Sequence, residues 1–139
     1  MVTLGVRDIA RARSFYEKLG FTAAGFESDS VVFFDMGGTV LGLYGREALA
    51  QDAGVDPTGD GFSAVTLAIN LGSEKEVDAG LTHAAQCGAQ IIQPARKVFW
   101  GGYSGYFKDP DGHLWEVAYN PLMPLDEGGM MNLPQAKNS

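Results

Sequence analysis

The sequence predicts an α+β fold made of two βαβββ modules in tandem. Three observations carry that prediction. The order strand, helix, three strands occurs twice; short residue strings recur with it; and 19 glycines punctuate short apolar runs without forming a linker-like stretch. In the first half, Met1 to Val6 has strand character. Asp8 then caps a helical pattern with Ile9, Ala12, Phe15, Tyr16 and Leu19 on one stripe, and Gly20 stands at its stop. Strand-like runs follow at Phe21 to Phe26, Val31 to Met36 and Thr39 to Tyr44, the last two joined by Gly37-Gly38 as in a hairpin.

A polar connector follows, with one short helical piece from Arg46 to Ala53, broken by Gly54, Pro57 and Gly59. The carboxylates Asp52, Asp56 and Asp60 read as its solvated face. Phe62 to Asn70 is again strand-like. Ser73 and Glu76 form a capping box ahead of the stripe Val77, Leu81, Ala84 and Ala85, and Gly88 ends that helix. Ile91-Ile92, Val98 to Trp100, Tyr103 to Lys108 and Leu114 to Asn120 complete the second set of strands. Asp109-Pro110-Asp111-Gly112 forms the last turn, with proline supplying a fixed φ and glycine a permissive one. Val2-Thr3-Leu4 recurs 63 residues later as Val65-Thr66-Leu67. Asp35, Gly38 and Leu43 match Asp109, Gly112 and Val117 at an offset of 74. These repeats give module one as residues 1–45, a connector at 46–60, module two at 61–120, and a tail at 121–139.

Composition removes many chemistries. Apolar residues make up 45% and charged residues 19%, enough for a packed core and too little charge for disorder. A single cysteine, Cys87, excludes an internal disulfide and a cysteine-based zinc cluster, and two histidines exclude a site of several imidazoles. The net charge of −7 leaves no basic stripe for nucleic acid. No run approaches the ~18 apolar residues of a membrane span, and the N-terminus lacks the pattern of a signal peptide. A cytoplasmic protein is expected, with neither nucleic acid nor membrane as partner.

The segments Leu4-Gly5-Val6-Arg7-Asp8-Ile9 and Phe15-Tyr16-Glu17-Lys18-Leu19-Gly20-Phe21 resemble the first-module signature of the vicinal oxygen chelate (glyoxalase/bleomycin resistance/dioxygenase) superfamily. Gly105 to Glu116, reading GYFKDPDGHLWE, resembles its last hairpin. The resemblance covers residues 1 to about 120. It implies two modules whose curved mixed sheets form an open barrel around a cavity, and commonly a homodimer. It also implies four metal-ligand positions, which fall here on Met1, Gly42, Ala64 and Glu116. Of these, only Glu116 offers a donor for a hard divalent ion. No metal and no other cofactor is therefore expected.

Strand alternation carries this further. Residues sharing parity with those positions, among them Thr3, Gly42, Tyr44, Ala64, Thr66 and Glu116, are small or mildly polar. The opposite parity holds Leu4, Val6, Leu41, Leu43, Leu67, Trp115 and Val117, which belong beneath the helices. The small-residue face then lines a space suited to a small molecule. Glu116 there reads either as a general base or ligand anchor, or as an inert hydrogen-bonded carboxylate. Trp100, Tyr103 and Tyr106, interleaved with glycines, read either as an aromatic lip over a planar ligand or as core filling. His113 is expected at the surface facing away from the cavity, His83 in solvent, and Cys87 as a packed thiol with no histidine to activate it. The tail Pro121 to Pro134 carries apolar residues expected to pack on a partner or over the cavity mouth. Three functions follow: a metal-independent small-molecule-binding protein like the superfamily's drug-binding branch; a lyase- or isomerase-type enzyme with Glu116 as base; and a metal-dependent glyoxalase-like lyase.

Overall fold

A computed structural model describes residues 1–25, 28–59 and 61–133. It has seven strands and three helices among these residues: β1 (Val2–Val6), α1 (Ile9–Leu19), β2 (Val31–Asp35), β3 (Val40–Gly45), α2 (Arg46–Ala53), β4 (Thr66–Asn70), α3 (Glu74–Gln86), β5 (Gln90–Lys97), β6 (Tyr103–Lys108) and β7 (Leu114–Tyr119). The strands form two small mixed sheets, β1-β3-β2 and β4-β7-β6-β5. In each, the first strand runs parallel to the last, and the rest is antiparallel. The predicted α+β class is the observed one, and no closed barrel forms among the described residues.

The helix ends follow the capping residues. Asp8 Oδ1 accepts from Arg11 N–H at 3.0 Å, and Gly20 closes α1 with φ of 121°. Ser73 Oγ accepts from Glu76 N–H at 3.1 Å, while Glu76 Oε2 accepts from Gly72 N–H at 2.7 Å. The repeated turns share a device as well. Asp35 accepts from the N–H of Gly37, two residues on, and Asp109 does the same for Asp111.

Three strand expectations change. The run from Phe21 reaches the first sheet only through a single bridge, Ala23 to Phe34, and its last residue, Phe26, lies outside the described residues. Val98 to Trp100 is a turn: Gly101 N–H donates to Val98 O, and Gly101 takes a φ of 91° that no strand adopts. The strand expected from Phe62 starts at Thr66, because Ala64 sits in the left-handed region with φ of 60°.

One core spans both halves. Leu4, Val6, Leu41 and Leu43 from the first sheet meet Phe107, Trp115 and Val117 from the second, with α1 supplying Phe15 and Tyr16 and α3 supplying Val77 and Leu81. The bulky parity therefore faces the helices in both sheets, as the alternation predicts. Tyr16 is the pivot: its ring lies within 6.0 Å of Phe15, Phe21, Phe34 and Trp115, and its hydroxyl is fully committed. It donates to Asp109 Oδ2 at 2.5 Å and accepts from Trp115 Nε1–H at 3.0 Å. Burial, then the Asp109 carboxylate, push the Tyr16 phenol far above its usual range, so it remains a neutral donor.

Polar clasps at the turn Asp109 to Gly112 add to this. Asp111 Oδ1 accepts from Arg7 N–H and from Arg11 Nη2, at 2.9 and 3.1 Å. His113 Nε2 donates to Gly5 O at 2.8 Å. His113 is thus a half-buried tie between the two halves and not the surface histidine expected. No helix among the described residues is long and apolar enough to cross a membrane.

Candidate functional site

Glu116 lies on β7 between the buried Trp115 and Val117, and so projects from the opposite face of the second sheet. Its neighbours across the sheet are Ala68 on β4 and Tyr106 on β6. The Tyr106 hydroxyl donates to Glu116 Oε2 at 3.1 Å. Burial, then the charge of Glu116 and this bond, raise the Tyr106 phenol above its ordinary value. Thr66 and Ala68 stand exposed on the same face, and Ser104 and Ala118 are buried there. The result is a half-buried carboxylate with a phenol donor, set among small side chains. It can accept a second hydrogen bond, hold a cation or take a proton.

The first sheet presents Thr3, Gly42 and Tyr44 on the corresponding face. Gly42 does not border open space. A Cβ there would lie 3.2 Å from Phe33 Cε1 and 3.3 Å from Thr3 Oγ1. Phe33, paired with Gly42 across β2 and β3, covers the position. Sequence reading missed Phe33, although its place between the core residues Val32 and Phe34 already gave it the cavity parity.

The three aromatics do not act together. Tyr106 joins Glu116. Tyr103, of opposite parity, packs on the helix side, and its hydroxyl donates to Asp78 Oδ1 on α3 at 2.7 Å. Trp100 folds over Gly102 so closely that a Cβ there would fall 1.7 Å from its ring, and the tip of this turn exposes Phe99 completely. Ala64 is exposed and precedes β4. The capping residues Asp8 and Ser73 stand 65 residues apart, two more than the repeated strand strings, so the link from strand to helix is two residues longer in the second half.

The implied metal site fails on donor chemistry. Met1, Gly42 and Ala64 offer no hard side-chain ligand, and only Glu116 is anionic. Among the described residues, no group of three or more His, Cys, Asp or Glu could hold an ion. The histidines lie elsewhere. His83 Nε2 is 3.7 Å from Cys87 Sγ, closer than the sequence suggested, yet the same nitrogen lies 3.1 Å from Leu19 O. Bonding that carbonyl requires Nε2 to carry the proton, so it cannot also act as the base for the thiol.

The comparisons agree with this architecture. Residues 1–117 match the sequence profile of the Glyoxalase/Bleomycin resistance protein/Dioxygenase superfamily. The chain is similar to metallothiol transferase FosB of Shouchella clausii, 33% identical over 123 residues, covering 87% of this chain and 79% of that protein. Its fold is similar to a glyoxalase-related enzyme from Fulvimarina pelagi, with a TM-score of 0.86, 32% identity and 96% of each chain covered. A superfamily enzyme from Burkholderia phytofirmans shares the fold at a TM-score of 0.75 and 22% identity, over 85% of this chain and 94% of that one. With the parallel pairing of first and last strand repeated in both sheets, and the shared core and the last hairpin in place, the chain belongs to the glyoxalase/bleomycin resistance protein/dioxygenase superfamily.

Proposed function

We propose that this chain is a metal-independent small-molecule-binding protein that works as a homodimer. The observation that carries the reading is the Glu116–Tyr106 pair: one carboxylate, already holding a phenol donor, on a face of small residues, with no group of three or more His, Cys, Asp or Glu among the described residues to hold an ion. Such a pair anchors a hydroxyl or cationic group of a ligand. Thr3, Tyr44 and Thr66 supply the other polar atoms of the small-residue faces. The dimer is supported by the sheet edges. β1 and β4 are the outer strands of their sheets, and Met1, Val2 and Val65 beside them are exposed. The tail turns back within the chain, where Leu125 bridges Met131 and Met130 reaches the Gly38 turn, and leaves Leu122 and Leu133 exposed for a partner. Its last expected residue, Pro134, lies outside the described residues. A cytoplasmic location completes the reading.

The likeness to a metallothiol transferase and to a glyoxalase-related enzyme favours a second reading, an enzyme with Glu116 as general base. Mass spectrometry of protein incubated with metabolite pools identifies the ligand, and Glu116→Gln then separates the two. A binding protein loses at most the ~1–3 kcal/mol of one charged hydrogen bond. An enzyme binds nearly normally and loses ~10²–10⁴ in turnover. A stoichiometric divalent ion held by Glu116 after purification refutes metal independence. A monomer by light scattering at micromolar concentration refutes the dimer.

A further inference from the structure

Where α1 begins, a polar cleft of about 500 Å³ opens between the turn Asp109 to Gly112 and the connector, away from Glu116 and Tyr106. Among the described residues its charges come from Arg7, Arg46, Lys108 and Asp111, with His113 and Ser63 beside them. Three of the ten basic residues of a chain with net charge −7 thus converge on one cavity. Arg7 and Lys108 form no ion pair with any described residue, and Lys108 is half-buried. Arg46 is fixed by its own bonds: Nε donates to Pro57 O at 2.8 Å and Nη2 to Gly59 O at 3.1 Å, leaving Nη1 uncommitted among the described residues. Held in this way, the guanidinium is oriented before any ligand arrives. Asp111 supplies the opposite need. Its side chain is only 3% exposed, Oδ1 is satisfied by Arg7 and Arg11, and Oδ2 has no hydrogen-bond partner among the described residues. A buried carboxylate oxygen left in that state calls for a donor.

We propose that this cleft binds a small anion that also carries a hydroxyl group, a phosphorylated or carboxylated polyol. The anionic group lies among Arg7, Arg46 and Lys108 in charge-assisted hydrogen bonds, and the hydroxyl donates to Asp111 Oδ2. A bare anion satisfies only the cations. A neutral polyol satisfies only Asp111 and leaves Arg7 and Lys108 without an ion pair among the described residues. Lys108 and Leu114 stand two residues along β6 and β7 from Tyr106 and Glu116, on the same face of the second sheet and nearer the turn, and neither Tyr106 nor Glu116 lines the cleft.

The test is an NMR titration of the full chain with glycerol 3-phosphate, inorganic phosphate and glycerol as separate probes. Glycerol 3-phosphate is expected to give saturable shifts at the amides of Ser63, Gly112 and His113, with a dissociation constant about tenfold below that of phosphate. Glycerol alone is expected to give none. Arg7→Gln with Lys108→Gln, both near the surface and outside the core, should weaken glycerol 3-phosphate at least about tenfold. Glu116→Gln should leave it unchanged, which keeps this result separate from the proposed function. Asp111→Asn retains an oxygen for Arg7 N–H and should bring glycerol 3-phosphate down to the affinity of phosphate; where that variant unfolds, the phosphate-to-glycerol 3-phosphate ratio in the native chain decides. Absence of saturable shifts, equal affinity for the two phosphates, or binding untouched by the double substitution overturns the proposal.

Discussion

Tyr16→Phe removes one oxygen from the centre of the molecule and leaves every ring contact in place. In the native chain that oxygen donates to Asp109 Oδ2 at 2.5 Å and accepts from Trp115 Nε1 at 3.0 Å, and both partners are buried. Oδ1 of Asp109 keeps the N–H groups of Asp111 and His113, so the substitution strands one carboxylate oxygen and one indole N–H. A buried polar group without its partner costs about 1–3 kcal/mol, more when charged, so the pair should cost about 2–5 kcal/mol. That is a large share of the ~5–15 kcal/mol by which a domain is normally stable. Urea unfolding followed by tryptophan fluorescence measures it. A loss below about 1 kcal/mol would refute the reasoning, since it would mean that water or a rearranged turn replaces the hydroxyl at little cost. The same hydroxyl sets an alkaline limit. Because its proton is held more tightly in the folded chain than in the unfolded one, its stabilisation is complete below pH ~10 and falls at about 1.4 kcal/mol per pH unit above that. Tyr16→Phe should flatten this part of the pH profile.

Gly105→Ala should destabilise by ~1–3 kcal/mol or more, because its Cβ would lie 2.7 Å from Gln93 O and 2.9 Å from Ala95 N, backbone atoms that cannot swing aside; thermal unfolding reads it. Gly42→Phe should cost a similar ~1–3 kcal/mol by colliding with Phe33, and combining it with Phe33→Ala should recover part of that loss in urea unfolding. Gly102→Ala should displace the Trp100 ring and change its fluorescence, with no effect on Glu116→Gln phenotypes.

The parts legible in the sequence were those set by local periodicity. Leu4, Leu43, Trp115 and Val117 face the core because alternation leaves them no other choice, and Asp8 and Ser73 cap helices because their side chains reach the free N–H groups two or three residues on. The failures share a cause, which is that cross-strand and cross-module geometry is not written locally. Parity placed Glu116 opposite Trp115 but could not show that Phe33 covers Gly42. It separated Tyr103 from Tyr106 only once the strand start was known. His113 looked like a turn residue because its partner, Gly5 O, lies 108 positions away in the chain. The late start of β4 was hidden for the same reason, since nothing in the local letters announces the positive φ of Ala64.

The two Asp-started turns have parted in their duties. Asp35 still does only what a turn aspartate does for its own loop, bonding the N–H of Gly37. Its counterpart at 109, with Asp111 and His113, has become a fastening for the opposite half: it grips the Tyr16 hydroxyl, the start of α1 and the end of β1. The halves are consequently no longer interchangeable parts. A chain assembled from two copies of the second half would carry a fastening at each end but no tyrosine, arginine or matching carbonyl placed to receive it. A chain of two first halves would have the receptors without the clasp. Whatever symmetry the ancestral repeat possessed, this turn has fixed the order in which its descendants must be joined.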